Sequence, residues 1–274
     1  MSEPRLRAIH LYPVKSLAGR EVTEACVEPW GLRGDRRWML VDPESRQVTQ
    51  RTHPRLALVR AQQEEDGALR VAAPGMPPLR VARPAPEAVT KVSVFGTPCE
   101  ALTADEAAGR WFGTYLDAEV RLVHMADPAT SRPVDPRHAR PGETVSFADG
   151  FPLLLVSAAS LTALNSLVAQ GEDAAEGPLP MSRFRPNLVV DGPPPWAEDG
   201  WRRVRVGEVT FRVVKPSGRC VVTTVDQLTA ERGREPLRSL ARHRRFGDRL
   251  VFGQNLIPDG SGTVRVGDRM QVLP

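Results

Sequence analysis

Residues 203–214 read RVRVGEVTFRVV. Val204 and Val206 share one face, Gly207-Glu208 interrupts, and Val209, Phe211 and Val213 share a face beyond it. Period-two alternation on both sides of a Gly-first, two-residue turn predicts a β-hairpin. Residues 263–273, TVRVGDRMQVL, repeat the device around Gly267-Asp268 and predict a second hairpin. Working outward, 5–11, 21–28 and 37–42 are further expected strands. With 26 Pro and 22 Gly in 274 residues, long helices are interrupted throughout. The expected fold is mainly β, with a few short helices.

Two segments carry helical spacing. In 157–170, Leu161, Leu164, Leu167 and Val168 recur on one side, a Ser in 157–160 can cap the start, and Gly171 stops the run. In 103–117, Thr103 and Glu106 suit a capping box, and Trp111, Phe112, Tyr115 and Leu116 supply an apolar face. Segments 126–144 and 171–181 are polar, Pro- and Gly-rich or small, and are expected outside the core. The region 120–126 is the expected boundary between two modules.

The composition, 41% apolar and 26% charged, is that of a folded globular protein. No run of about 18 apolar residues occurs, which argues against a membrane helix. The polar, Pro-interrupted start lacks a secretory core, so a cytoplasmic location is expected. Cys26, Cys99 and Cys220 make neither a disulfide framework nor a CxxC zinc pair. Lys and Arg exceed Asp and Glu by 37 − 33 = 4. The RHRR run at 242–245 and a sequence pI of about 9.3 raise nucleic-acid binding. The excess is small and aromatics are few, so no nucleic-acid partner is expected, and the run is taken as a solvated basic loop.

Five stretches carry candidate chemistry. In KPSGRCVVTTVD, 215–226, a strand is expected to end near Lys215, Pro216-Ser217-Gly218 to turn, and Cys220 to open the next strand. Lys215 and Arg219 lie close in sequence, and nearby cations favour the thiolate, which ligates metals. Packing as a small hydrophobe is the other role open to this cysteine. YPVKSLAG, 12–19, presents Lys15 and Ser16, a charge and a hydroxyl suited to a phosphate or to an ordinary turn. GLRGDRRWMLVD, 31–42, sets Arg36 and Arg37 before a strand, and RFRPNLVVDG, 183–192, sets Arg185 and Asn187 around Pro186. VFGQNLIPDG, 251–260, is expected to turn at Gly253-Gln254-Asn255 and expose two amides.

In this order YPVKS, DRRWML, FRPN, GRCVVTTVD and FGQN followed by a terminal VRVGD resemble the MOSC family, first seen at the C-terminus of molybdenum cofactor sulfurases. The whole arrangement, an N-terminal β-barrel module followed by MOSC, resembles the mitochondrial amidoxime-reducing component and its bacterial relatives. The resemblance covers nearly the whole chain, and GRC in its strand context is its most specific piece. It implies modules at 1–122 and 123–274 with a cofactor cleft between them.

The resemblance further implies a molybdenum cofactor, a molybdopterin with one phosphate, whose metal takes Cys220 as its protein ligand. The family's cofactor contacts fall here on Lys15, Ser16, Arg36, Ser160, Arg185, Asn187, Ser217, Arg219 and Asn255, with Ser160 carried over from an (A/S)-S-L helix start. A soft thiolate suits a sulfur-rich metal site, and Lys15, Arg36, Arg185 and the helix start near Ser157 can supply charge and N–H groups to the phosphate. The implied activity is a molybdenum-dependent oxidoreductase that reduces N-hydroxylated or N-oxygenated compounds by two electrons. A cofactor carrier or sulfur-delivery protein without turnover is the alternative. The implied partners are a small N-oxygenated substrate and, since no ferredoxin-type cysteines occur, a separate electron-donor protein. Asp226 is a candidate proton donor, with a surface role expected ahead of it.

Overall fold

The computed structural model describes residues 3–274. The hairpin at 203–214 forms as expected, with Arg203–Val206 antiparallel to Val209–Gly218 and Val206 opposite Val209. Gly207 turns it at φ +57°, in the left-handed region that glycine enters without strain. Val204, Val206, Val209 and Phe211 are at most 2% exposed. Each such side chain contributes about 1.5–3 kcal/mol by leaving water.

The second strand of that hairpin runs on to Gly218, so Pro216-Ser217-Gly218 is strand and not the expected turn. It pairs with Arg249–Pro258 through two register shifts, between Val213 and Lys215 and between Pro216 and Gly218. Pro216 stands in register with Gln254 between the two shifts, and such irregular pairing is where a strand tolerates a proline. Cys220 therefore opens no strand: it caps a 3-10 turn, Val221–Thr224. The expected turn at Gly253-Gln254-Asn255 is likewise strand, because both neighbours, Leu153–Ser157 and Val209–Gly218, saturate Arg249–Pro258.

The second predicted hairpin does not form. Gly262–Arg265 pairs with Glu24–Glu28, whereas Met270–Leu273 pairs with Arg203–Val206. The turn between them holds the start of the chain instead: Leu6 N donates to Asp268 O, Gly267 N to Leu6 O and Met270 N to Pro4 O, each at 2.8 Å. Alternation is a local signal, and it cannot say which partner each arm takes.

The largest sheet runs in the order 20–22, 5–11, 188–191, 153–157, 249–258, 209–218, 203–206, 270–273. Its one parallel pair, Leu153–Ser157 with Leu188–Asp191, is bridged by the helix Ala158–Ala169, whose N-cap Ser157 accepts from Ser160 N. A four-stranded sheet joins 38–41, 121–124, 97–103 and 89–94, and the helix Glu106–Leu116 packs on it. That helix is capped by Asp105, not Thr103, because Thr103 is held in the strand opposite Val123.

Two cores result. One gathers Val14, Trp38, Leu40, Leu69, Phe112 and Leu122, and the other joins Leu6, Ile9, Val27 and Leu32 to Leu155, Phe211, Leu256 and Val264. Residue 122 lies inside the strand Arg121–His124, and the first strands of the chain belong to the sheet of its last third. The segment 126–144, expected outside the core, sends Arg132 and Val134 inward at 4% and 2% exposure. Segment 171–181 likewise buries Leu179. The 242–245 run is not a solvated loop: it ends the helix Leu237–His243, and buried Arg244 pairs with Asp199 at 2.6 Å. No helix among the described residues is long and apolar enough to cross a membrane.

Candidate functional site

The segment after the first strand is stitched to the residues before Trp38. Arg36 N donates to Tyr12 O, Lys15 N to Trp38 O and Trp38 N to Pro13 O. This pairing places Lys15 and Arg36 side by side. Arg185 follows the 3-10 turn Met181–Phe184 in left-handed conformation at φ +54°. A following proline disfavours helical backbone, and Arg185 before Pro186 takes the left-handed region rather than the extended one. Ser16 at +69°, Arg36 at +48° and Phe95 at +49° share that costly region. Four of the eight described non-glycine residues with positive φ thus line one cleft.

That cleft has a volume of about 700 Å³. Its lining includes Lys15, Ser16, Arg36, Arg51 and Phe95 from the first half of the chain, and Asp149, Arg185, Asn187, Lys215, Ser217, Arg219, Cys220, Arg249 and Asn255 from the second. Nine of the ten expected site residues meet there. Ser160 does not: it is fully buried, donating to Glu198 Oε2 and accepting from Trp196 N, each at 2.8 Å. The helix start near Ser157 lies beside Arg7, Asp191 and Pro195, away from the cleft. Asp226 also lies elsewhere, paired with Arg183 at 3.0 Å.

The cleft holds seven cationic side chains and, among the described residues, one carboxylate. Lys15 Nζ donates to Phe147 O at 2.8 Å and to Asp149 Oδ1 at 2.5 Å. Burial lowers the Lys15 ammonium to about 8, and Asp149 resists that fall. Asp149 keeps 66% of its side-chain surface. Desolvation by the walls opposes its ionisation, but the charge and hydrogen bond of Lys15, then Arg51 and Arg36, hold it well below the usual carboxylate range. Arg132 fixes this segment from behind, donating to Ser146 O, Ala148 O and Asp149 O.

Arg36 donates to Asp35 Oδ2 at 2.5 Å, Asn187 Oδ1 at 3.1 Å and Arg185 O at 3.2 Å. Both the Arg36 and Arg185 guanidiniums lie 4.4 Å from the centre of the buried Tyr12 ring. Burial pushes the Tyr12 phenol up to about 12, so the ring stays neutral beneath the two cations. Burial also pulls Arg185 down to about 10, against the pull of Tyr12. Arg185 Nη2 and Arg219 Nε are buried without a protein partner. Asn187 is spent on structure, donating to His10 O and accepting from Arg36 and Leu154 N. Gln254 turns away to Asp199, which leaves Asn255 as the amide of that strand facing the cleft.

Arg219, expected beside the sulfur, instead donates to Ser217 Oγ and Phe184 O. The cation hydrogen-bonded to the sulfur is Arg51, whose Nη2 lies 3.3 Å from Cys220 Sγ and 3.6 Å from Asp149 Oδ2. Arg51, Phe95, Asp149 and Arg249 were not singled out in the sequence. Arg51 sits in an ordinary turn, TQRTHP, and only the fold brings it across to residue 220.

The MOSC N-terminal beta barrel domain family matches residues 3–119, and the MOSC domain family matches 142–271. The chain is 34% identical to Mitochondrial amidoxime-reducing component 1 of Homo sapiens, over 96% of this chain and 81% of that protein. It is 29% identical to the Molybdenum cofactor sulfurase of Oryza sativa subsp. japonica, over 99% of this chain and 35% of that protein. Among solved structures, the YUAD protein from Bacillus subtilis aligns over 98% of this chain and 94% of its own, at 10% identity and a TM-score of 0.44. The chain therefore belongs to the MOSC family, in the form that joins the N-terminal beta barrel domain to the MOSC domain.

Proposed function

We propose that this protein is a molybdenum-cofactor-dependent reductase of N-hydroxylated or N-oxygenated compounds, with Cys220 as the protein ligand of the metal. The observation that carries this reading is the cleft itself: a cysteine sulfur hydrogen-bonded to Arg51, in a cleft whose Arg185 and Arg219 each keep one buried nitrogen without a partner. A polyanionic cofactor bearing sulfur ligands fits that donor set. Arg185 Nη2 and Arg219 Nε have no protein partner and could donate to an anion, and Lys15, Ser16, Arg36, Ser217 and Asn255 would complete its surroundings. The soft sulfur of Cys220 suits a soft, sulfur-rich metal. When bound, the cofactor supplies two-electron chemistry at the nitrogen–oxygen bond.

The chain's own residues bind and orient. The Asp35–Arg36–Asn187 bonds fix one wall, and Arg132 fixes the segment that carries Asp149. Asp149 can accept an N–H of a bound amidoxime, and Lys15 Nζ holds a proton 2.5 Å from it at neutral pH. Reduction of an N–OH group to N–H and water consumes two electrons and two protons. The electrons are assigned to a separate electron-donor protein.

The test is metal analysis of protein made in a cofactor-producing host, followed by assay on benzamidoxime with a chemical reductant. The expected result is up to about one molybdenum per chain, with reduction abolished in Cys220→Ser. Protein free of molybdenum refutes the reading. Molybdenum without turnover makes the protein a cofactor carrier or sulfur-delivery protein instead, a role in keeping with its identity to the sulfurase.

A further inference from the structure

The cations of the cleft fall into two groups once their partners are counted. Lys15, Arg36 and Arg51 face carboxylates, and Arg185 and Arg219 are the deep pair with buried unpartnered nitrogens. Lys215 and Arg249 belong to neither group. Lys215 makes no hydrogen bond or ion pair among the described residues, although it lines the cleft. Arg249 has only Asp248 near it, at 3.8 Å, and that carboxylate is 93% exposed. Asp135, the other acid in their neighbourhood, is held by Arg137.

These two cations are held close together by the sheet. Lys215 lies opposite Asn255 on the paired strands, and Gly218 lies opposite Val251. The Arg249 side chain runs over Gly218, its Cδ 3.6 Å from where a β-carbon would stand. Arg219 N donates to Leu250 O at 2.7 Å, which ties residue 249 to the neighbourhood of Cys220. Burial and the nearby charges of Arg249 and Arg137 lower the Lys215 ammonium from its ordinary value. Like charges crowded with no counter-anion but a solvent-exposed carboxylate at 3.8 Å are what an anion-binding subsite presents before its ligand arrives.

We infer that Lys215 and Arg249 form a substrate subsite for an anionic group, so that the cleft takes N-oxygenated compounds bearing a carboxylate or comparable anion. This rests on the N-reductase reading for the identity of the reacting end and not for the subsite. Arg249 offers a fork that matches a carboxylate, and Lys215 offers a point charge beside it. The deep pair remains with the cofactor, and the shallow pair selects what approaches it.

The experiment compares 4-carboxybenzamidoxime with benzamidoxime on the holoprotein and on Lys215→Met and Arg249→Met, with molybdenum content measured for all three. The wild type is expected to favour the carboxylated compound in kcat/KM. Each variant is expected to lower that ratio about fivefold, as for a charged hydrogen bond in a half-open site. In parallel, calorimetry measures binding of 4-carboxybenzamidine and benzamidine. If neither amidoxime is reduced but the carboxylated amidine binds tighter to the wild type alone, the subsite stands and the N-reductase reading falls. Equal binding of both amidines by all three proteins overturns the subsite. Loss of molybdenum in the variants also overturns it, because the cations would then serve the cofactor.

Discussion

His124 offers a measurable consequence of burial. It is 3% exposed, packs at a tilt against Trp38 with 4.6 Å between ring centres, and has no partner for Nδ1. Burial, with smaller contributions from Arg37 and Arg83, lowers the imidazole from 6.5 to about 3. The folded state therefore binds its proton later than the unfolded chain as pH falls. Stability is full above the unfolded value of 6.5 and declines as pH drops from there towards 3. With these two values the decline between pH 8 and pH 5 is about 2 kcal/mol, a large share of a typical folding free energy. Urea unfolding of the wild type and His124→Leu, at pH 8, 7, 6 and 5, isolates this contribution, because every other titrating group is common to both. Leucine matches the volume and keeps the site apolar. The variant should lose about 2 kcal/mol less than the wild type over that range. Parallel pH dependence in the two proteins would refute the assignment of a neutral, buried His124.

Ser160→Ala should destabilise by about 1–3 kcal/mol, since buried Glu198 and Trp196 N both lose a partner, while leaving molybdenum content unchanged. Thermal unfolding beside metal analysis checks both halves. Arg36→Met strands Asp35, which is 2% exposed, and should cost about 3–5 kcal/mol by chemical denaturation as well as cofactor. Gly253→Ala meets Leu155 O at 2.7 Å in a backbone with φ +78°, so a loss of more than about 1 kcal/mol is expected in the same assay.

Much of this molecule was legible because its signals are local. The Gly207 turn, the strand Arg5–Leu11, the Ser157 cap and the clustering of Lys15, Arg36, Arg185 and Cys220 all follow from short stretches or from the order of motifs. What failed was pairing over distance. Gly267-Asp268 looks like a hairpin turn, yet the start of the chain occupies the place its own partner would take. Pro216 looks like a turn residue, yet two bulges admit it to a strand. Ser160 sits in a matching motif, but its helix faces Glu198 rather than the cleft. Arg51 reaches Cys220, and Asp149 reaches Arg51, from stretches that carry no chemical signature of their own.

The sharing of Arg5–Leu11 with the sheet of the last third also bears on synthesis. Leu6 and Ile9 leave the ribosome about 180 residues ahead of their neighbour Leu188–Asp191. At about 5–20 residues per second that is a wait of roughly 10–40 s. Through that interval an apolar strand has only Arg20–Val22 beside it and one edge open. An apolar edge left open is a template for wrong pairing, and slow codons between the two strands would lengthen its exposure.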